Sequence, residues 1–89
     1  MNTDDLIDIG FEPISSFTIM NSFIYKLGRY KHISISNIGT TNEMVWICER
    51  NAQNEKEITD AICIHNYDFN GFLTKEKLKN LINVLDDLK

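Results

Sequence analysis

No window of this 89-residue chain is apolar enough to span a bilayer. Its first residues, Met1-Asn2-Thr3-Asp4-Asp5, carry neither the basic start nor the apolar run of a secretory signal. The cytoplasm is therefore the expected compartment, and no membrane partner is expected. Cysteine is scarce: only Cys48 and Cys63 occur. A secreted domain of this size usually carries several disulfides, so a structural disulfide is not expected. There is no internal repeat, no linker, no low-complexity stretch and no glycine-rich phosphate loop. Basic excess is also lacking, because the net charge is −4. That balance argues against broad, non-specific binding to nucleic acid, which needs phosphate neutralisation.

What remains is a globular composition, 43% hydrophobic and 25% charged. A chain this short holds one core and one domain, residues 1–89. The charge is uneven. Residues 1–12 hold Asp4, Asp5, Asp8 and Glu12 and no base. Residues 13–42 hold Lys26, Arg29 and Lys31 and no carboxylate side chain. Residues 43–89 hold nine acids against six bases.

Thr3 reads as the cap of a short helix with Asp4 and Asp5 in its first turn. Gly10 reads as its stop, with Phe11 folding back and Pro13 blocking resumption. From Ser16 to His65 the pattern becomes extended. Phe17–Met20 and Phe23–Leu27 are aromatic and β-branched, with Asn21-Ser22 as a turn between them. His32–Ser36 alternates, placing Ile33 and Ile35 on one face and His32, Ser34 and Ser36 on the solvated other. Met44–Cys48 is apolar on both faces and reads as a central strand. Residues 50–57 read as a polar loop, and Ile58–His65 as a further strand whose start, at Thr59 and Asp60, is weakly patterned. Thr74 is a good helix cap, with Leu73 and Leu78 as a hydrophobic staple. Leu78, Leu81, Ile82, Leu85 and Leu88 then form a stripe at helical spacing. The expected fold is α+β: an antiparallel sheet of four to five strands, a short N-terminal helix, and an amphipathic C-terminal helix on one face.

Residues 66–77 resemble an EF-hand calcium loop at Asp68, Asn70, Gly71 and Leu73. The resemblance fails at Asn66, where the loop needs Asp, and at Lys77, where it needs a bidentate Glu. A strand-to-helix turn accounts for the segment without a metal. Cys63 and His65 stand two apart, on one side of a regular strand, and Cys48 could lie opposite them. Three soft ligands fall one short of a structural zinc set and match no common spacing. Neither a metal nor a cofactor is expected. A Cys63 nucleophile with a histidine base would have poor geometry in a strand, and no paired carboxylates are legible, so the chain does not read as an enzyme.

The binding candidates are clearer. The turn Lys26–His32 interleaves bases with an aromatic, which suits either a charged hairpin blunting a sheet edge or a phosphate grip. Lys75, Lys77 and Lys79 oppose the dipole at the start of the last helix, and pairing with the acidic first helix would account for them. Met44 and Trp46 share a face of the central strand. Either the first helix covers them or they lie open, and aromatics with Met are enriched at protein interfaces. Tyr67, Phe69 and Phe72 pose the same question in the last turn.

Three runs carry a resemblance: Gly10-Phe11, Asn42–Glu49 and Ile64–Thr74. Together they are similar to short reading frames of phages and mobile elements of gut anaerobes, over roughly residues 10–85. The resemblance implies a small acidic protein that binds and blocks a larger one, such as a host defence nuclease or CRISPR effector. The sequence thus points to a non-catalytic binding protein with a protein partner. Its expected surface comprises Arg29, Tyr30, Lys31, Met44, Trp46, Tyr67, Phe69 and Phe72. A nucleic-acid-associated module using residues 26–32 is the alternative, and a homodimer is compatible with both.

Overall fold

The computed structural model describes residues 1–13, 22–54 and 57–87. The architecture is α+β. Helix α1 (Thr3–Ile9) precedes strands β1 (Glu12–Pro13), β2 (Ser22–Lys26), β3 (Lys31–Ser36), β4 (Met44–Arg50) and β5 (Ile58–Asn66). A single helical turn, α2 (Tyr67–Asn70), and helix α3 (Lys75–Asp87) follow. The strands form one antiparallel sheet in the order β1-β2-β3-β4-β5, a plain meander. No helix among the described residues is long and apolar enough to cross a membrane.

The N-terminal helix is capped by Asn2 rather than Thr3. Asn2 accepts from the Asp5 amide, and the Asp5 carboxylate accepts from the Asn2 amide, each at 3.0 Å. This reciprocal pair satisfies two donors at once, whereas a threonine cap one residue later would satisfy one. Gly10 ends the helix with φ 118°, and the Phe11 amide returns to the Leu6 carbonyl at 2.9 Å. Phe11 thereby turns into the core. A Cβ on Gly10 would stand 3.2 Å from Tyr25 Cε2, so both backbone and space call for glycine there.

Pro13 does more than end the helix. Glu12 and Pro13 pair with Ile24 and Phe23 as an edge strand, where a missing N–H costs no ladder bond if it faces outward. Ser22 opens β2 instead of lying in a turn. The expected strand at Phe17–Met20 lies outside the described residues, as does the Asn21 half of that turn. Arg50 belongs to β4, and Thr59 and Asp60 belong to β5.

Residues directly opposite in an antiparallel pair share a face. Phe23, Ile35 and Val45 are aligned across β2, β3 and β4, as are Tyr25, Ile33 and Ile47. Leu6 of α1 and Leu78 and Ile82 of α3 seal this face, with Phe11 and Leu73 at its margins. Each such fully buried aliphatic side chain contributes about 1.5–3 kcal/mol. Thr74 caps α3 by accepting from the Lys77 amide at 3.2 Å, and Leu73 and Leu78 are both buried. The two helices meet on the same side of the sheet, so α1 does not cover Trp46. Lys75 Nζ reaches Asp5 at 3.8 Å and Asp8 at 3.6 Å, the pairing expected from the charge pattern.

Candidate functional site

One β-strand irregularity decides where the cysteine and histidine candidates go. Val45 pairs with His65 but Trp46 pairs with Cys63, so Ile64 is an extra residue in β5. The bulge puts His65 on the helix-covered face with Val45, and Cys63 on the opposite face with Trp46. The expectation that Cys63 and His65 share one side of a regular strand is therefore corrected. Cys48 lies on the Trp46 face opposite Ala61, diagonal to Cys63, and both thiols are free. No group of three or more His, Cys, Asp or Glu that could hold a metal occurs among the described residues.

His65 serves a different arrangement. Its Nε2 lies 2.9 Å from Oε1 of Glu43, which is 1% exposed. The same oxygen accepts from the Leu73 amide at 2.6 Å, and Oε2 accepts from the Gly39 amide at 2.9 Å. One buried carboxylate thus ties the β3–β4 loop, the end of β5 and the entry to α3. This site is structural, and nothing in the local pattern around Glu43 distinguished it from a surface loop acid.

The expected binding residues fall into separate regions. The turn holding Arg29 and Tyr30 lies at one end of the sheet, with Lys31 opening β3 beside it. Arg29 lies over the Tyr30 ring at 5.3 Å, which fixes a guanidinium against an aromatic face. The end of β4 joins this pole, since the Arg50 amide donates to the Tyr30 carbonyl at 2.6 Å. Tyr67, Phe69 and Phe72 lie at the other pole, past the end of β5. The six residues of β3 separate the poles by about 17 Å. Met44 stands near the second pole, aligned with Ser36 and Asn66, and Trp46 lies mid-sheet between Ser34 and Cys63. Both are half-buried.

The basic pole contains a cleft of about 520 Å³ lined by Lys26, Arg29, Lys31, His32 and Arg50, with Ile24 and Gly28. His32 is buried rather than solvated as its place in the alternation suggested. The Arg50 Nε–H donates to His32 Nδ1 at 3.3 Å, which leaves the proton of the neutral ring on Nε2. Burial, and secondarily the Arg50 charge, holds the His32 pKa below its ordinary value. Arg50 was the residue missed as a site candidate, whereas His32 already closed the basic turn read from the sequence. Arg50 sat at the border of a polar loop, and only the strand register brings it beside His32.

The polar–apolar transition at the other pole is abrupt. Asn66 caps α2 by accepting from the Phe69 amide at 3.0 Å, and Gly71 leaves the turn at φ 70°. This is a strand-to-helix turn entered from a β-strand, not from the helix an EF-hand requires. Tyr67 packs against Phe72 with centroids 4.7 Å apart and the rings tilted by 53°, while Phe69 is 87% exposed. β5 leads into this turn as the last strand of the sheet, and its residues Ile58 to Ile62 are exposed. No protein-family model, curated protein or solved structure matches the chain.

Proposed function

We propose that this is a non-catalytic binding protein that engages a protein partner through the outer edge of β5 and the aromatic turn that follows it. One observation carries the reading. Among the described residues six large apolar side chains are exposed, and four of them, Ile58, Ile62, Phe69 and Phe72, fall within residues 58–72. Ile62 lies on the helix-covered side of β5 and Ile58 on the other, so the apolar exposure flanks one strand and runs into the aromatic turn at its end. Exposed apolar groups gathered along one element mark an interaction surface more than scattered ones do. The strand edge adds a second component. Among the described residues β5 pairs only with β4. A nine-residue edge presents a row of backbone donors and acceptors to which an extended segment can add as a further strand. β5 contains neither Lys nor Pro, and its blunting features are two register shifts and the single charge of Asp60, which leave Ala61 to Cys63 in regular pairing between them.

In this arrangement the partner's strand lies beside β5. Its side chains meet Ile62 on one face and the Trp46–Cys63 row on the other. Phe69 and Phe72 cap the contact at the end of the strand. The binder acts stoichiometrically in the cytoplasm and blocks a larger host protein, such as a defence nuclease or CRISPR effector. The sequence resemblance to phage and mobile-element reading frames supports that biological setting, and the exposed edge supports the mode of binding.

The test uses Ile62→Lys and Phe69→Ala. Both positions are exposed, so circular dichroism should be unchanged in each. Affinity capture from a host lysate should recover a partner with the wild type and lose it with both variants. Light scattering of the wild type alone separates a foreign partner from a second copy of the chain. Equal capture by wild type and Ile62→Lys would reject the edge as the binding surface.

A further inference from the structure

We infer that the cleft between the β2–β3 turn and the end of β4 is a binding site for the phosphate groups of a nucleotide-sized ligand, with Lys26, Arg29, Lys31 and Arg50 supplying the charge. This inference concerns the turn end of β2, β3 and β4, which meets the proposed β5 surface only where Arg50 pairs with Ile58. It rests first on charge segregation. The chain carries a net charge of −4 and only nine Lys and Arg residues, yet four of those nine line one cleft. No carboxylate side chain lines that cleft among the described residues. Clusters of Lys and Arg side chains are the groups that recognise phosphate oxygens.

The second support is preorganisation. Arg50 is not a loose surface arginine. Its backbone amide is bonded to the Tyr30 carbonyl, and its Nε is held by the buried His32 ring. Arg29 is held against Tyr30. Two guanidinium groups are therefore positioned in advance, and a planar fork suits bidentate contact with phosphate oxygens. The neutral state of His32 matters here, because only an unprotonated Nδ1 can accept from Arg50. The third support is size. A cleft of about 520 Å³ lies within the range of small-molecule sites, and it is larger than one inorganic phosphate requires. Ile24 and Gly28 complete the lining, the first apolar and the second without a side chain.

The test measures binding of two probes to the full chain at low salt: ADP, by calorimetry, and a short fluorescent oligothymidylate, by anisotropy. At least one should bind, and its affinity should fall as salt is raised, because charge neutralisation releases counterions. Lys26→Glu, at an exposed position, should weaken binding about tenfold or more with the fold intact. Arg50→Gln should do the same. Binding of both probes assigns the cleft to phosphate groups as such, and binding of the oligothymidylate alone assigns it to a nucleic-acid backbone. Polyglutamate serves as the carboxylate control. Absence of both phosphate probes at low salt overturns the inference, as does binding that Lys26→Glu leaves unchanged or a preference for polyglutamate over both probes.

Discussion

Glu43 and His65, 22 residues apart, meet at 2.9 Å in the interior of a chain whose other carboxylates lie at least partly in solvent wherever their burial is described. The carboxylate accepts from His65 Nε2 and from the amides of Leu73 and Gly39, so both oxygens are occupied. Glu43→Gln offers one acceptor oxygen in place of two, and its NH₂ faces a backbone N–H. An orphaned buried donor costs about 1–3 kcal/mol. Native domains are typically stable by only about 5–15 kcal/mol, so that is a large fraction for one of this size. Urea unfolding of Glu43→Gln should show a much lower midpoint with an unchanged slope. A midpoint equal to the wild type would show that the three contacts do not hold the loop, strand and helix together.

His32 predicts a direction of pH dependence. Burial and Arg50 depress its folded-state pKa below 6.5, the value it takes when unfolded. The unfolded chain therefore takes up a proton first as pH falls. The stabilisation is complete above the unfolded value and is lost as pH drops from there through the folded value. Urea midpoints measured down a pH series should fall across that window. His32→Gln keeps an acceptor for Arg50 but does not titrate, so its midpoints should fall less steeply. Parallel slopes in the two proteins would assign the acid sensitivity elsewhere.

Much of the fold was legible because its signals are local. Gly10, the alternation around Ile33 and Ile35, and the Thr74 cap with its leucine stripe each follow from spacing within a few residues. What was not legible depends on pairing between distant segments. The bulge at Ile64 moves His65 away from Cys63, and no residue type in Cys63-Ile64-His65 announces it. Pro13 reads as a breaker, and only its pairing with Phe23 makes it an edge residue. The same holds for the candidate sites. The turn at Arg29, Tyr30 and Lys31 and the turn at Tyr67, Phe69 and Phe72 both stood out in sequence. Their placement at opposite poles required the meander, as did the arrival of Arg50 beside His32.

The two cysteines should differ in reactivity. Cys48 is buried and its thiol is pushed up by desolvation, an effect that the nearby Arg50 charge only partly offsets. Cys63 is half-buried, and its thiol donates to the His65 carbonyl at 3.4 Å. The thiolate is the reactive form, so iodoacetamide should label Cys63 well before Cys48 in the folded protein. Peptide mapping by mass spectrometry reads the order directly. Urea should abolish the difference. Faster labelling of Cys48 in the native state would contradict its burial between β3 and β5.

Lys75 tests how much the charge pattern on the helices contributes. Its Nζ lies 3.8 Å from Asp5 and 3.6 Å from Asp8, and all three side chains are partly or largely exposed. Solvent screens such contacts, and exposed pairs are usually worth about 0.2–1 kcal/mol. Asp5 also holds the Asn2 amide, so the lysine reinforces a cap that stands without it. Lys75→Gln should therefore lower stability by less than about 1 kcal/mol at low salt. Raising the salt should narrow the gap to the wild type, because the lost interaction is already screened there. A loss that is much larger, or that persists undiminished in high salt, would mean that the stem of Lys75 packs the α1–α3 seam and that its charge is secondary.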